Sequence, residues 1–224
     1  MNRKNNQKGI KQLAVIAMFC ALAYACMLVV KIPVQFLTLD IKDSIIILCG
    51  LIFGPLTAVV ISFIVPFLEF ITISGTGVYG LIMNVLSSLS FSLTASLIYR
   101  YKKTFFGAIS GLVSGVLAMT AIMMLANLFI TPYYMGVPAA TVAALIPKLL
   151  LPFNLIKAVL NAAIVLLFYK PISNILKRSG LLEAPQQGDA AKKTSSKARN
   201  IWVTVVSLVI IAISFAIIFV VLKN

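Results

Sequence analysis

Long apolar runs dominate this chain and leave few folds open to it. They lie near residues 10–30, 43–54, 55–74, 78–100, 104–131, 149–170 and 201–222. Crossing the hydrocarbon core of a bilayer takes about 20 residues of helix. No water is available there for backbone N–H and C=O groups, so such runs form helices that satisfy themselves. Composition agrees: 61% of residues are hydrophobic and only 11% charged, against about 45–50% and about 25% in soluble domains. The expected fold is an all-α integral membrane protein. The second run is short and ends in Gly54-Pro55, a helix breaker. Residues 43–74 therefore read as two helices joined by a tight turn, rather than as one kinked helix.

The cations test that reading. Arg3, Lys4, Lys8 and Lys11 precede the first run, and Arg100, Lys102 and Lys103 follow the fourth. Lys170, Lys177 and Arg178 follow the sixth, and Lys192, Lys193, Lys197 and Arg199 precede the seventh. Seven crossings put all of these on one side and leave Lys31, Lys42, Lys148 and Lys223 on the other. The positive-inside bias then places the N-terminus in the cytoplasm and the C-terminus outside a cell membrane. A kinked helix over 43–74 would carry Arg100, Lys102 and Lys103 outside, against that bias. Because the cations sit at the ends of apolar runs, the net charge of +14 reads as topology and not as a nucleic-acid surface. The basic start resembles a signal peptide, but no small-residue cleavage pattern precedes Lys31, so the first run is read as a helix.

Residues 179–200 are polar and rich in Ser, Lys, Pro and Gly, the composition of a flexible cytoplasmic linker. The helix beyond, within 201–224, is almost purely apolar and reads as an appended anchor. The compact unit is then the six helices within residues 1–178.

The sixth run, LLPFNLIKAVLNAAIVLLFYK over 150–170, holds a lysine. An ammonium at the bilayer centre costs about 2.5–3.5 kcal/mol on translocon scales, so Lys157 needs a partner, a cavity or a ligand. Asn154, Lys157 and Asn161 are spaced to share one helix face. Asn127 late in the fifth run, Asn84 in the outer half of the fourth and Glu69 late in the third fall at the same depth. So does the loop KIPVQFLTLDIKD with Asp40, Lys42 and Asp43. Together they predict a pocket in the outer third of the bundle, open to the exterior. Blander roles are open to each: hydrogen-bond glue between helices for Asn84 and Asn127, a pair with Glu69 for Lys157, a helix N-cap for Asp43. A cavity lined by amides, one cation and many apolar side chains suits a flat molecule with carbonyl and imide edges. The segment PYYMGVPAATVAALIPK over 132–148 reads as a loop, either a lid over such a ligand or an interfacial segment.

The chain contains no histidine, which removes the commonest general base and metal ligand. Cys20, Cys26 and Cys49 lie in apolar runs and suggest neither a disulfide nor a metal site. Asp40, Asp43 and Glu69 are too scattered for a membrane enzyme, and no catalytic residue or resident cofactor is expected. No G-x-x-x-x-G-K-[ST] loop for ATP is present, so concentrative uptake would need a partner or an ion gradient. Ala17, Ala21 and Ala25 form a small-residue stripe on the first helix that would admit another helix closely, either inside the bundle or from a partner.

The basic start, QLAVIAMFCALAYACML with its alanines, the loop KIPVQFLTLDIKDSIIILCGLIFGP and the NLIK turn resemble the substrate-binding S-components of energy-coupling factor transporters. FLTLDIKD with the Asn/Lys pair is similar to the riboflavin-specific members. The resemblance covers about residues 8–178; the tail departs from the six-helix pattern. It implies a six-helix bundle, here with an added seventh transmembrane helix. It implies a vitamin bound from outside and delivered by toppling of the bundle, with energy from a transmembrane coupling protein and two ATPases that consume the ATP. Polar groups of the last two bundle helices would hold the isoalloxazine edge of riboflavin: Asn127, Asn154 and Lys157. Leu39 and Asp40 would cover it, and Ala17, Ala21 and Ala25 would meet the coupling protein. Glu69 and Asn84 join the expected ligand-binding residues from their depth in the sequence, not from the resemblance. Another vitamin (thiamine, folate or biotin), or a stand-alone facilitator, is the alternative.

Overall fold

The computed structural model describes residues 3–179 and 195–223. Its elements are α1 (Arg3–Val29), a hairpin of β1 (Ile32–Val34) and β2 (Leu37–Leu39), α2 (Lys42–Phe53), α3 (Pro55–Thr72), α4 (Gly77–Tyr101), α5 (Phe105–Met135), α6 (Ala139–Leu145), a π-helical turn (Ile146–Leu150), α7 (Leu151–Arg178) and α8 (Ser195–Lys223). Five helical stretches are long and apolar enough to cross a membrane: 9–29, 55–72, 77–101, 105–135 and 139–176. The apolar part of α8, Ile201–Ile217, is shorter.

α2 sets the architecture. At 12 residues it is about 18 Å long, well short of a bilayer core. Every residue from Lys42 to Leu51 is buried, among α1, α3, α4 and α7. Gly54 ends it with φ 106, and Pro55 starts α3. The positive φ suits glycine, and a proline at the first helical position loses no hydrogen bond. The two-helix reading of 43–74 is thus the observed one. Ile46, Ile47 and Cys49 of α2 join Phe91, Met119 and Val165 in the main apolar core.

α4 and α5 pack closely because glycines line the seam. A Cβ on Gly111 would sit 2.7 Å from the Ala95 carbonyl oxygen, and one on Gly115 would sit 2.6 Å from the Phe91 ring. α4 also buries a run of serines, and Ser92 shares a 3.0 Å hydrogen bond with Ser62 of α3.

The structure corrects the sequence reading at 132–148. α5 continues through Pro132 to Met135 and ends at Gly136, whose φ of 65 closes the helix. Proline is tolerated in membrane helices because neighbouring groups take up the freed carbonyl, so it did not stop this one. Only residues 136–138 lie between α5 and α6, and α6 runs through the π-helical turn into α7. There is no long loop to serve as a lid. Pro147 within the turn lacks a donor, which fits the wider hydrogen-bond ring there.

Of the expected linker 179–200, residues 180–194 lie outside the described residues, and 195–200 form the first turns of α8. α8 packs along α7 and also meets β1.

Gly111→Val should cost about 1–3 kcal/mol by overpacking the α4–α5 seam, read as a clear loss of thermal stability in detergent. Gly9→Ala, where a Cβ meets nothing within 4 Å, should leave the melting temperature at or slightly above that of the parent chain.

Candidate binding site

The hairpin, the start of α2, the end of α3, the start of α4, the end of α5 and the start of α7 meet at one end of the bundle. All of these but α2 line a cavity of about 500 Å³, a size suited to a small organic ligand.

The hairpin is antiparallel, with Ile32 opposite Leu39, Pro33 opposite Thr38 and Val34 opposite Leu37. Gln35 turns the chain at φ 55. Strand side chains alternate between faces. Val34 and Leu39 are accordingly buried in a second apolar cluster with Phe153 and Leu160 of α7, while Pro33 and Thr38 line the cavity with Gln35, Phe36 and Leu37. Leu39 and Asp40, expected to cover a ligand, lie behind this lining.

Asp40 organises the polar groups. Its Oδ2 accepts from Lys157 Nζ at 2.9 Å and from Lys42 Nζ at 3.1 Å. The Lys42 ammonium, fully buried, also donates to Glu69 Oε2 at 3.0 Å and Asn84 Oδ1 at 2.9 Å. That satisfies all three of its donors. Asn84 Nδ2 donates to the same Glu69 oxygen at 3.0 Å, so Asn84 ties α4 to α3 while also facing the cavity. Lys31 stands 3.9 Å from Glu69 at the more exposed edge. Burial pushes the Asp40 carboxyl up, but Lys157 and Lys42 outweigh it and hold it down to about 2. This carboxyl therefore stays charged across the physiological range.

Asn161 completes the join. Its Oδ1 accepts from the Ser44 N–H at 2.8 Å, and its Nδ2 donates to the Asp40 carbonyl at 3.1 Å. The face shared by Asn154, Lys157 and Asn161 is thus real, but its lower members fasten the hairpin and α2 to α7. Asp43 is not an N-cap. The N-cap position is Ile41, and the buried Asp43 carboxylate accepts from Ser88 and Ser87 of α4. Nor does Lys157 pair with Glu69; Asp40 takes Lys157, and Glu69 takes Lys42.

Three of the five acids in the chain, Asp40, Asp43 and Glu69, gather here; Glu183 and Asp189 fall outside the described residues. Lys31, Lys42 and Lys157 balance them in number at this end of the bundle; of the six, Lys31, Glu69 and Lys157 line the cavity itself. Ser87 and Ser88 were not legible as site residues; they read as ordinary helix positions. Lys42 was legible at the depth of the pocket, but not as the partner of Glu69 and Asn84.

Glu69, Asn84, Asn127, Asn154 and Lys157 all line the cavity. Asn127 Nδ2 donates to the Met123 carbonyl at 2.7 Å, and its Oδ1 accepts from Thr131 at 2.9 Å. Asn154 Nδ2 donates to the Leu150 carbonyl at 2.8 Å. Each amide keeps a second N–H, and Asn154 keeps its carbonyl oxygen. Lys157 spends one donor on Asp40 and a long one, 3.5 Å, on the Thr38 carbonyl. Beside these groups stand Met83, Met123, Phe153, Tyr79 and Tyr134. The arrangement offers both donors and an acceptor inside an apolar wall. Among the described residues no cluster of His, Cys, Asp or Glu could hold a metal ion.

Ala17, Ala21 and Ala25 are all exposed on α1, whereas Ala23 is fully buried. The stripe faces out of the bundle and does not serve internal packing.

Comparison with known proteins agrees with this architecture. Residues 11–169 match the family described as "ECF transporter, substrate-specific component". The chain is 31% identical over 186 residues to the riboflavin transporter RibU of Staphylococcus aureus (strain TCH60), covering 79% of this chain and 97% of that protein. It is 28% identical over 174 residues to the riboflavin transporter FmnP of Bacillus subtilis (strain 168), covering 71% and 90%. A solved structure of the S component of a bacterial ECF transporter superposes with a TM-score of 0.65 at 29% identity, over 76% of this chain and 99% of that one. This multi-pass membrane chain therefore belongs to the family of substrate-specific components of ECF transporters.

Proposed function

We propose that this protein is the riboflavin-binding subunit of a vitamin importer. The observation that carries the reading is the cavity in which Asn127, Asn154 and Lys157 retain hydrogen-bonding capacity beside apolar walls. The ring system of riboflavin is flat and neutral, with an imide edge that both donates and accepts, which suits these groups. The two relatives described as riboflavin transporters support the same ligand. A strongly charged vitamin would leave the balance of Asp40, Asp43 and Glu69 against Lys31, Lys42 and Lys157 uncompensated.

Asn127, Asn154 and Lys157 would hold the polar edge of the ring, with Glu69 and Asn84 on the adjoining wall. Leu39 and Asp40 would act from behind, by fixing the hairpin whose Phe36 and Thr38 meet the ligand. The protein would bind and carry rather than catalyse. It would need no cofactor of its own, and ATP would be used by two ATPases joined through a transmembrane coupling protein. The exposed stripe of Ala17, Ala21 and Ala25 is the surface we assign to that coupling protein, since small residues admit a second helix closely. The distribution of cations supports a cytoplasmic N-terminus and an exterior C-terminus, with the cavity facing outward before the bundle topples.

Purified protein should quench riboflavin fluorescence and saturate at one equivalent per chain. Undiminished fluorescence at micromolar protein would overturn the ligand assignment. Ala21→Trp should leave that titration unchanged and abolish riboflavin uptake by cells carrying the coupling subunits. Loss of binding instead would mean that the stripe supports the bundle itself.

A further inference from the structure

α8 lies beyond the family match, which ends at residue 169. The solved S component is covered over 99% of its length by only 76% of this chain. The added helix is nevertheless placed against the binding end. It runs along α7 and approaches β1 of the hairpin. Ser207 and Ser214 are buried, and Val203, Ile210 and Ile211 are half-buried, while Val205, Val206, Leu208, Val209 and Ile213 are exposed. The covered positions recur at helical spacing, so one stripe of α8 is packed and the rest faces out. Within that stripe Ile211 packs on the cluster of Val34, Leu39, Phe153 and Leu160. This cluster is the underside of the hairpin, whose other face lines the cavity.

We propose that α8 is a built-in brace for the binding hairpin, and that Ile211 is a positioning residue that slows ligand release without touching the ligand. The hairpin has only three residues per strand, and an isolated pair of this size is marginal. Its order depends on the packing beneath Val34 and Leu39. Apart from the packing within the hairpin and the Asp40 anchor, that support comes from α7, and Ile211 adds to it from the far side. A hairpin held down more firmly opens less often, and a bound ligand leaves when it opens.

The test uses the full chain in nanodiscs, with two readouts. The first is hydrogen exchange of the amides in residues 32–39 without ligand, which does not depend on the identity of the vitamin. The second is the dissociation rate of riboflavin, which rests on the proposed function. Ile211→Ala should raise both by about threefold to tenfold, the effect of removing part of a half-buried side chain. Ile211→Leu should restore both. Val203→Ala, two turns nearer the start of α8 and beside Leu166 and Pro171 of α7 rather than the hairpin, should change neither. Parent-like hairpin exchange in Ile211→Ala overturns the brace, as does an equal effect from Val203→Ala, which would mean α8 acts through general stability. If the parent chain fails to bind riboflavin, the ligand assignment fails and the exchange readout alone decides the brace.

Discussion

A carboxylate held between two ammonium groups joins the parts of the protein that must meet at the cavity. Asp40 sits at the end of the hairpin, Lys42 opens α2, and Lys157 lies about two turns into α7. Bringing these charges out of water is costly, and their attraction offsets the cost only when the geometry is good and the remaining donors are used. Here they are used: Lys42 completes its bonds on Glu69 and Asn84, and Asn161 takes the Asp40 carbonyl. The result is a polar plate under the cavity that links the hairpin, α2, α3, α4 and α7.

The short α2 makes that plate possible. A helix that crossed the full bilayer would carry its N-terminal charges to the surface. At 12 residues, and sealed inside the bundle, α2 instead delivers Lys42 and Asp43 into the interior, where Glu69, Ser87 and Ser88 receive them. The ligand-facing groups then rest on a fixed support. Asn127 anchors one amide hydrogen on Met123 of α5 and Asn154 anchors one on Leu150 of the π-helical turn, and both side chains line the cavity. Positioned donors of this kind cost little entropy when a ligand arrives.

Much of this was legible in the residues. Apolar length and the Gly54-Pro55 break give the helices and the α2–α3 turn, and the spacing of Asn154, Lys157 and Asn161 gives the polar face of α7. What was not legible depended on long-range partners. Lys42 was legible at the depth of the pocket, but its bonds to Glu69 and Asn84 were not, because those partners lie 27 and 42 positions away. Strands of three residues, one holding Pro33, fall below what alternation can reveal. Asp43 looked like a cap because the serines that bind it are about 45 positions away. Pro132 read as a stop because its neighbours in space are absent from the local sequence.

The membership of the chain in the substrate-specific component family and the amide-lined cavity meet on one physical claim: the charge plate shapes the site from beneath. The most direct measurement is the riboflavin affinity of Asp40→Asn, a change that keeps the size of a side chain lying outside the cavity lining. Removing one member of a buried charge pair leaves its partner uncompensated at a cost of about 3–5 kcal/mol, here shared by two lysines. The account predicts a loss of affinity of at least about tenfold, in a chain that remains folded in detergent. An affinity equal to that of the parent chain would contradict it.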